Sequence, residues 1–299
     1  MNLRLVSLRR RQLVLFGTLF TVSLLFAYKE CIFIAPYTTS TNNPEKKTHN
    51  FRAGHVGGGR VVVTGASSNH FDTLCAFLHN FKLNNPTSIP LIVYNLGLSV
   101  EEKKIISSRV PSASILDFDF ELYPSFFDIK SAAGEYAWKP IIISETLLSF
   151  DRVLWLDTGN RLANTEVLRR AFAFIERDGI LTTQTSGTTQ MWVHSDSLKF
   201  FNASKLDVQM CNGAIVGFDR THSQVMTKIV SPWRECALLR ECIAPLGSSR
   251  ANHRQDQATL TVLIYQSGRG CEAEDFDVSS LGIVLHQDFA SFNFCTTTR

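Results

Sequence analysis

The sequence predicts an α/β fold, with a mostly parallel sheet flanked by helices and a mixed region built onto its C-terminal side. Three observations carry this reading. Short apolar runs recur at residues 60–64, 91–95, 114–118 and 152–156, and the intervals between them hold helical patterns. Strand-helix alternation at this spacing implies parallel strands joined by crossover helices. The first run gives way to Gly65-Ala66-Ser67-Ser68, where the backbone is free to turn closely. The fourth run, Val153-Leu154-Trp155-Leu156, ends abruptly in Asp157. That puts a carboxylate at the carboxyl edge of a buried strand, where open α/β sheets bind ligands. An Asp capping the following turn is the competing reading of this residue.

Each element follows in order. Arg60-Val61-Val62-Val63-Thr64 is a continuous apolar strand, as expected where both faces are covered. Phe71, Leu74, Cys75, Leu78 and Phe81 recur at helical spacing. Leu91-Ile92-Val93-Tyr94-Asn95 is a second strand. Ser99 then caps a helix whose first turn holds Glu101 and Glu102, which suits the helix dipole. Residues 114–118 form a third strand, and Lys139-Pro140 opens another helix with Pro in its first turn. Residues 152–156 are the fourth strand. After Thr165 the pattern changes. A helix runs to about Arg177 and ends at Gly179. Strand-like pieces follow at 180–182, at Met191-Trp192-Val193 and at 214–218. Two helices are predicted near 223–239 and 256–265, and a last strand over 282–285 ends at His286. There is no internal repeat.

The chain has 299 residues, 44% of them hydrophobic, which is enough for one large domain or two small ones. A net charge of +3, with no basic run in the body, is too small to argue for nucleic acid, and none is expected as a partner. The basic run is Arg9-Arg10-Arg11, followed by an uncharged stretch over 12–28. It is shorter than the ~20 residues a membrane span typically needs, but thinner internal membranes accept shorter spans. A cleaved signal peptide shares these features. Leu25 before Ala27 and Phe33 before Ala35 do not supply the small residues that cleavage needs. The expectation is a cytoplasmic tail over 1–11, a signal-anchor over 12–28, a polar stem over 29–59 and a luminal domain over 60–299. Positive residues stay cytoplasmic, so this is a type II protein of the ER or Golgi membrane. Cys31 lies at the membrane edge; the other six of seven cysteines suit disulfides in an oxidising lumen, in pairings the sequence leaves open. Asn202-Ala203-Ser204 is a glycosylation acceptor.

Thr64-Gly65-Ala66-Ser67-Ser68 invites a dehydrogenase reading. That motif needs further glycines where this chain has Asn69, His70 and Phe71, and no tyrosine beyond the anchor has a lysine four residues later. Residues 64–71, with Val93-Tyr94-Asn95-Leu96-Gly97-Leu98, resemble instead a poorly characterised domain family of membrane-anchored proteins. Further motifs are Tyr136-Ala137-Trp138-Lys139-Pro140, Trp155-Leu156-Asp157, Cys211-Asn212-Gly213 and Arg254-Gln255-Asp256-Gln257. Their arrangement over residues 60–289 resembles that of GT-A nucleotide-sugar transferases, with family 8 glycosyltransferases the clearest comparison.

The resemblance implies a Rossmann-like GT-A fold and a set of roles. Thr64, Ala66 and Ser67 would contact the nucleotide of a nucleotide-diphosphate-sugar donor, with Asn69 in the loop beside it. Asn95 would close the base or ribose pocket. Asn212 and Gly213 would face the donor sugar, and Asp256 and Gln257 would lie at the reacting centre, near a glycan, protein or lipid acceptor. Asp157 and His286 would hold a divalent metal, Mn²⁺ or Mg²⁺, of which Mn²⁺ also accepts imidazole. The second carboxylate of the family's metal motif is replaced by Gly159, leaving Asn160 or a water to complete coordination. Lys139 would assist as a fixed positive partner. Local readings stand beside these roles: Lys139 as a solvated first-turn residue, Asp256 as a first-turn acid, His286 as structural or solvated. Trp138 and Trp155 read as core. The other class of function left open is a catalytically inactive relative that binds or scaffolds.

Overall fold

The computed structural model describes residues 59–271, 278–287 and 294–295. The expected tail and anchor, and the stem except Gly59, lie outside the described residues. Among those described, no helix is long and apolar enough to cross a membrane.

The first half alternates as the sequence predicts: β1 (Arg60–Ala66), α1 (Phe71–Leu83), β2 (Leu91–Asn95), α2 (Val100–Arg109), β3 (Ala113–Asp117), α3 (Trp138–Thr146) and β4 (Arg152–Leu156). The second half holds β5 (Arg161–Leu162), α4 (Val167–Asp178), β6 (Ile180–Leu181), β7 (Gln184–Thr188), α5 (Thr189–Trp192), α6 (Ser195–Phe200), β8 (Gln209–Cys211) and β9 (Ile215–Asp219). It continues with α7 (Ser223–Val225), α8 (Ser231–Ala237), α9 (Arg240–Ile243), α10 (Gln255–Gln266), α11 (Val278–Leu281) and β10 (Ile283–Val284). The central sheet has the order β3-β2-β1-β4-β9-β6. Strands β1 to β4 are mutually parallel, and β9 runs antiparallel to both β4 and β6.

The period of two along each strand sorts side chains between two cores. Val61, Val63, Ile92, Tyr94, Val153 and Trp155 face one core, which Ile141 of α3, Trp233 of α8 and Leu260 of α10 complete. Val62, Leu91, Val93, Leu154 and Leu156 face the other, with Leu74 of α1, Ile106 of α2 and Phe172 of α4. Each fully buried aliphatic or aromatic side chain contributes roughly 1.5–3 kcal/mol, so strands covered on both faces anchor the sheet. Punctuation follows the sequence. Ser99 and Glu102 form a reciprocal capping box, and Gly179 closes α4 in a left-handed conformation at φ 79°.

Two expectations are corrected. Met191-Trp192-Val193 is not a strand: residues 189–192 form α5, a single turn in which Val193 N–H donates to Thr189 O at 3.0 Å. The turn folds Trp192 back over Gly187, where a Cβ would sit 2.2 Å from the indole Nε1. The helix predicted over 223–239 is α7 and α8 joined through a π-helical turn at Met226–Val230. Pro232, in the first turn of α8, has no N–H to continue the α-helical ladder.

The last strand, β10, leaves the central sheet and pairs antiparallel with β5, Ile283 opposite Leu162. It thereby carries His286 and Gln287 to the turn after β4. Among the described residues three disulfides form: Cys75–Cys295, Cys211–Cys271 and Cys236–Cys242. They tie α1 to the C-terminal segment, β8 to the chain beyond α10, and α8 to α9.

Candidate active site

The site lies at the carboxyl edge of β4. Asp157 follows that strand directly, and its N–H donates to Ala214 O at 2.9 Å, just before the antiparallel neighbour β9 begins. The first turn of α3 delivers Lys139, and the first turn of α10 delivers Asp256. Lys139 is only 4% exposed, so it is not a solvated first-turn residue. Its Nζ is 3.1 Å from Asp157 Oδ1 and 3.2 Å from Asp256 Oδ2, and it donates to Gly213 O at 3.1 Å. The ammonium thus meets two carboxylate oxygens as ion pairs and one carbonyl oxygen as a hydrogen bond. The ring centroids of Trp155 and Trp138 lie 5.3 and 5.9 Å away, within cation–π range. One nitrogen thus gathers all four sequence motifs, around Lys139, Asp157, Gly213 and Asp256.

Burial alone would lower the Lys139 pKa; the Asp157 and Asp256 carboxylates outweigh it and hold the ammonium above the ordinary lysine value. Burial raises the pKa of Asp256; Lys139 opposes that rise and the like charge of Asp157 adds to it. The Asp256 Oδ2 atom is buried and meets Lys139 as an ion pair without an aligned hydrogen bond. The Asp157 side chain is 42% exposed, and its Oδ1 also accepts from Trp155 Nε1 at 2.6 Å. Asp157 is therefore the accessible carboxylate of the trio, and Asp256 the enclosed one.

The other predicted residues take distinct places. Thr64 is wholly buried inside β1, its hydroxyl without a partner among the described residues, and Ala66 ends the same strand, also buried. Ser67 and Asn69 lie on the turn that follows, Ser67 Oγ bonded to Asn69 Oδ1 at 2.6 Å. Asn95 is spent on structure. Its Oδ1 accepts from Gly97 N at 2.9 Å and its Nδ2 donates to Asp117 Oδ1 at 2.6 Å. Beside it is a cavity of about 400 Å³ lined by Asn95, Leu96, Gly97, Phe118, Phe120 and Ile129. Phe118 and Phe120 do not stand out in the sequence; the signal is an aromatic-rich stretch with no period. Asn212 is buried, its Oδ1 accepting from Ala214 N at 2.7 Å, so it shapes the turn carrying Gly213. Gly213 lies against Gln257, whose Cβ would be 3.0 Å from an added Cβ. His286 is exposed at φ 55°; its neighbour Gln287 donates its N–H to Gly159 O at 2.9 Å.

The wall before α3 is strained. Ala132, Ala133, Glu135 and Tyr136 have φ between 47° and 55°, with Gly134 at 63° between them. Only glycine adopts this region freely, and each other residue costs roughly 1–2 kcal/mol. Gln255, at the start of α10, has φ 37°.

The donor set does not make up a divalent-metal centre held by the chain alone. Asp157 Oδ1 already meets Lys139 and Trp155. Asn160, a candidate to complete the coordination, is buried and turns its Nδ2 to Ala214 O at 2.8 Å. Gly159 offers no side chain. Among the described residues, no three His, Cys, Asp or Glu side chains come together to hold a metal. The positive charge beside Asp157 is Lys139.

A family model described as a protein of unknown function, DUF1647, matches residues 41–144. No curated protein sequence matches. Among solved structures, the galactosyltransferase LgtC in complex with donor and acceptor sugar analogs is similar at 14% identity and a TM-score of 0.46, over 68% of this chain and 70% of that one. The mannosyltransferase Ktr4p from S. cerevisiae is similar at 9% identity and a TM-score of 0.47, over 68% of this chain and 65% of that one. Core-mannan synthase A from Aspergillus fumigatus, in an Mn/GDP form, is similar at 9% identity and a TM-score of 0.43, over 70% of each chain.

The spent donor set has a measurable consequence. Equilibrium dialysis of the chain against Mn²⁺ without nucleotide should find no stoichiometric binding at micromolar metal. One tightly held ion per chain would show that Asp157 and His286 recruit further ligands.

Proposed function

We propose that the chain transfers a sugar from a nucleotide-diphosphate-sugar donor to a glycan, protein or lipid acceptor. One observation carries this reading: the four motifs that resemble those of nucleotide-sugar transferases converge on Lys139 Nζ. The nucleotide would lie over the carboxyl ends of β1 and β2, against the Ser67–Asn69 turn and the cavity beside Gly97. The sugar would face Gly213, Asp256 and Gln257. In the transfer, the bond from the anomeric carbon to the diphosphate breaks and its electron pair leaves with the diphosphate. The acceptor oxygen forms the new bond, and its proton goes to the departing phosphate oxygen.

The chain's part is electrostatic. With Asp157 and Asp256 both ionised, two carboxylates and one ammonium give the cluster one net negative charge. Fixed in place before substrate arrives, it stabilises positive charge developing on the sugar ring without reorganising. Asp157, half exposed, is the member that substrate reaches. A divalent ion carried by the donor's diphosphate would neutralise the leaving group. The thin metal donor set favours a second reading, a protein that binds nucleotide sugars without turning them over.

A panel of nucleotide sugars, read by thermal shift and by release of nucleoside diphosphate, separates the two. At least one donor should raise the melting temperature and be turned over with an acceptor present. Asp157→Asn should lose the donor-dependent shift while keeping a cooperative melt, at a lower midpoint because Lys139 then has Asp256 as its remaining carboxylate. Donor binding unchanged in Asp157→Asn would end the anchoring role of that residue. Binding by wild type without turnover would favour the second reading.

We further propose that the domain resides in the lumen of the ER or Golgi as a single-pass type II protein. The support is the Arg9-Arg10-Arg11 start before an uncharged stretch, three disulfides and the exposed Asn202 on the turn after α6. Treatment with a glycan-removing enzyme should raise gel mobility of wild type and leave Asn202→Gln unchanged. Identical mobility shifts in both would remove Asn202 as the acceptor.

A further inference from the structure

The connection from α9 to α10 sets two arginines over aromatic rings beside the reacting centre. Arg254 immediately precedes α10, and its guanidinium carbon lies 4.0 Å from the centroid of Trp192. Its N–H donates to Trp192 O at 3.0 Å, so the backbone fixes the pair as well. Arg250 lies over Tyr136 at 5.1 Å. Asp256 and Gln257 follow within the same turn as Arg254. The two rings belong to different walls: Tyr136 ends the strained run before α3, and Trp192 ends α5.

Neither guanidinium has a carboxylate partner among the described residues. The nearby Glu135 carboxylate is instead bonded to Gln255 Nε2 at 3.3 Å. Burial, and then the like charge of Arg250, disfavour the protonated form of Arg254. The two like charges thus face solvent without an ion-pair partner among the described residues, Arg250 exposed and Arg254 part-buried, where an anion can reach both. A second observation lies on the same wall. Gln255 is 2% exposed, and its Oε1 is buried without a donor among the described residues. Its left-handed backbone, like that of Glu135 and Tyr136, is strain of the kind retained where geometry serves a ligand.

We propose that the acceptor is an anionic saccharide, whose carboxylate or sulfate is held by Arg250 and Arg254 while a hydroxyl reaches the centre at Asp256. The proposal rests on the glycosyl-transfer reading. It assigns the arginines to the acceptor because they belong to the α5 and α9–α10 side. The expected nucleotide lies across Lys139, at the β1–β2 edge. Guanidinium forks bind carboxylate and sulfate bidentately, with geometry that a lysine does not reproduce. Aromatic faces beneath the forks keep them extended toward the ligand.

The test is isothermal titration of the full chain with three probes: a glucuronate-containing disaccharide, its carboxyl-reduced neutral counterpart, and a sulfated disaccharide. Nucleoside diphosphate is titrated in parallel. At least one anionic probe should bind ten or more times tighter than the neutral one, roughly the effect of one charge-assisted bond. Which probe wins identifies carboxylate or sulfate as the group. Arg254→Gln and Arg250→Gln should each erase that preference and leave nucleotide affinity within twofold. Arg254→Lys, which keeps the charge and much of the packing, should lose most of the preference too. It serves where the glutamine variant fails to fold. Equal affinity for neutral and anionic probes overturns the proposal. So does a loss of nucleotide affinity in the arginine variants, which would place them on the donor's diphosphate. Arginine-dependent binding of an anionic saccharide by a chain that binds no nucleotide or nucleotide sugar would keep the anion site and overturn the transfer reading instead.

Discussion

A single buried ammonium organises the carboxyl edge of the sheet. Lys139 Nζ sits within 3.2 Å of Asp157, Asp256 and the Gly213 carbonyl, in a setting walled by Trp138 and Trp155. Removing a charge from water is costly, and a buried ion pair is strongly destabilised when one partner is lost. The start of α3, the end of β4, the turn before β9 and the start of α10 therefore hold one another in place. The same dependence makes the site rigid before any ligand arrives, which electrostatic catalysis requires. Lys139 also meets much of the charge by which Asp157 would draw a cation.

The second half of the chain completes what the parallel strands begin. Antiparallel β9 lies beside β4, so the Gly213–Ala214 turn comes level with Asp157. The β5–β10 pair brings Gln287 to Gly159 from the far end of the sequence. Cys75–Cys295 and Cys211–Cys271 staple segments that reach the site from a distance, limiting how far the unfolded chain can separate them. Strain collects where these pieces meet, in the left-handed run before α3 and at Gln255.

Much of this is legible in the sequence where local physics dominates. The bounds of β2 and β4 follow from continuous apolar runs, and the Ser99 cap from a serine set before two acids. Asp157, Lys139 and Asp256 stand out by residue type and motif, but not as neighbours. Nothing local shows that a lysine between Trp138 and Pro140 will be buried, or that two distant carboxylates will flank it. Met191-Trp192-Val193 reads as a strand in sequence because a three-residue apolar run carries no period that separates strand from helix turn. The stretch from Phe118 to Tyr136 is aromatic without a repeat. Only Gly134 hints there at a left-handed conformation that its neighbours also adopt. Arg250 and Arg254 look like solvated charges until the fold lays each over a ring contributed from far away in sequence.

The most direct test of the organising role of Lys139 is a double-mutant cycle on unfolding free energy. It compares wild type, Lys139→Met, Asp256→Asn and the double variant by denaturant titration. Lys139→Met alone should cost about 3–5 kcal/mol, because it leaves Asp256 buried without its counter-charge. The double variant should recover part of that loss, with a coupling energy of roughly 2 kcal/mol or more. Additivity to within about 0.5 kcal/mol would show that the two side chains do not depend on each other, and would contradict the organising role of the buried ammonium.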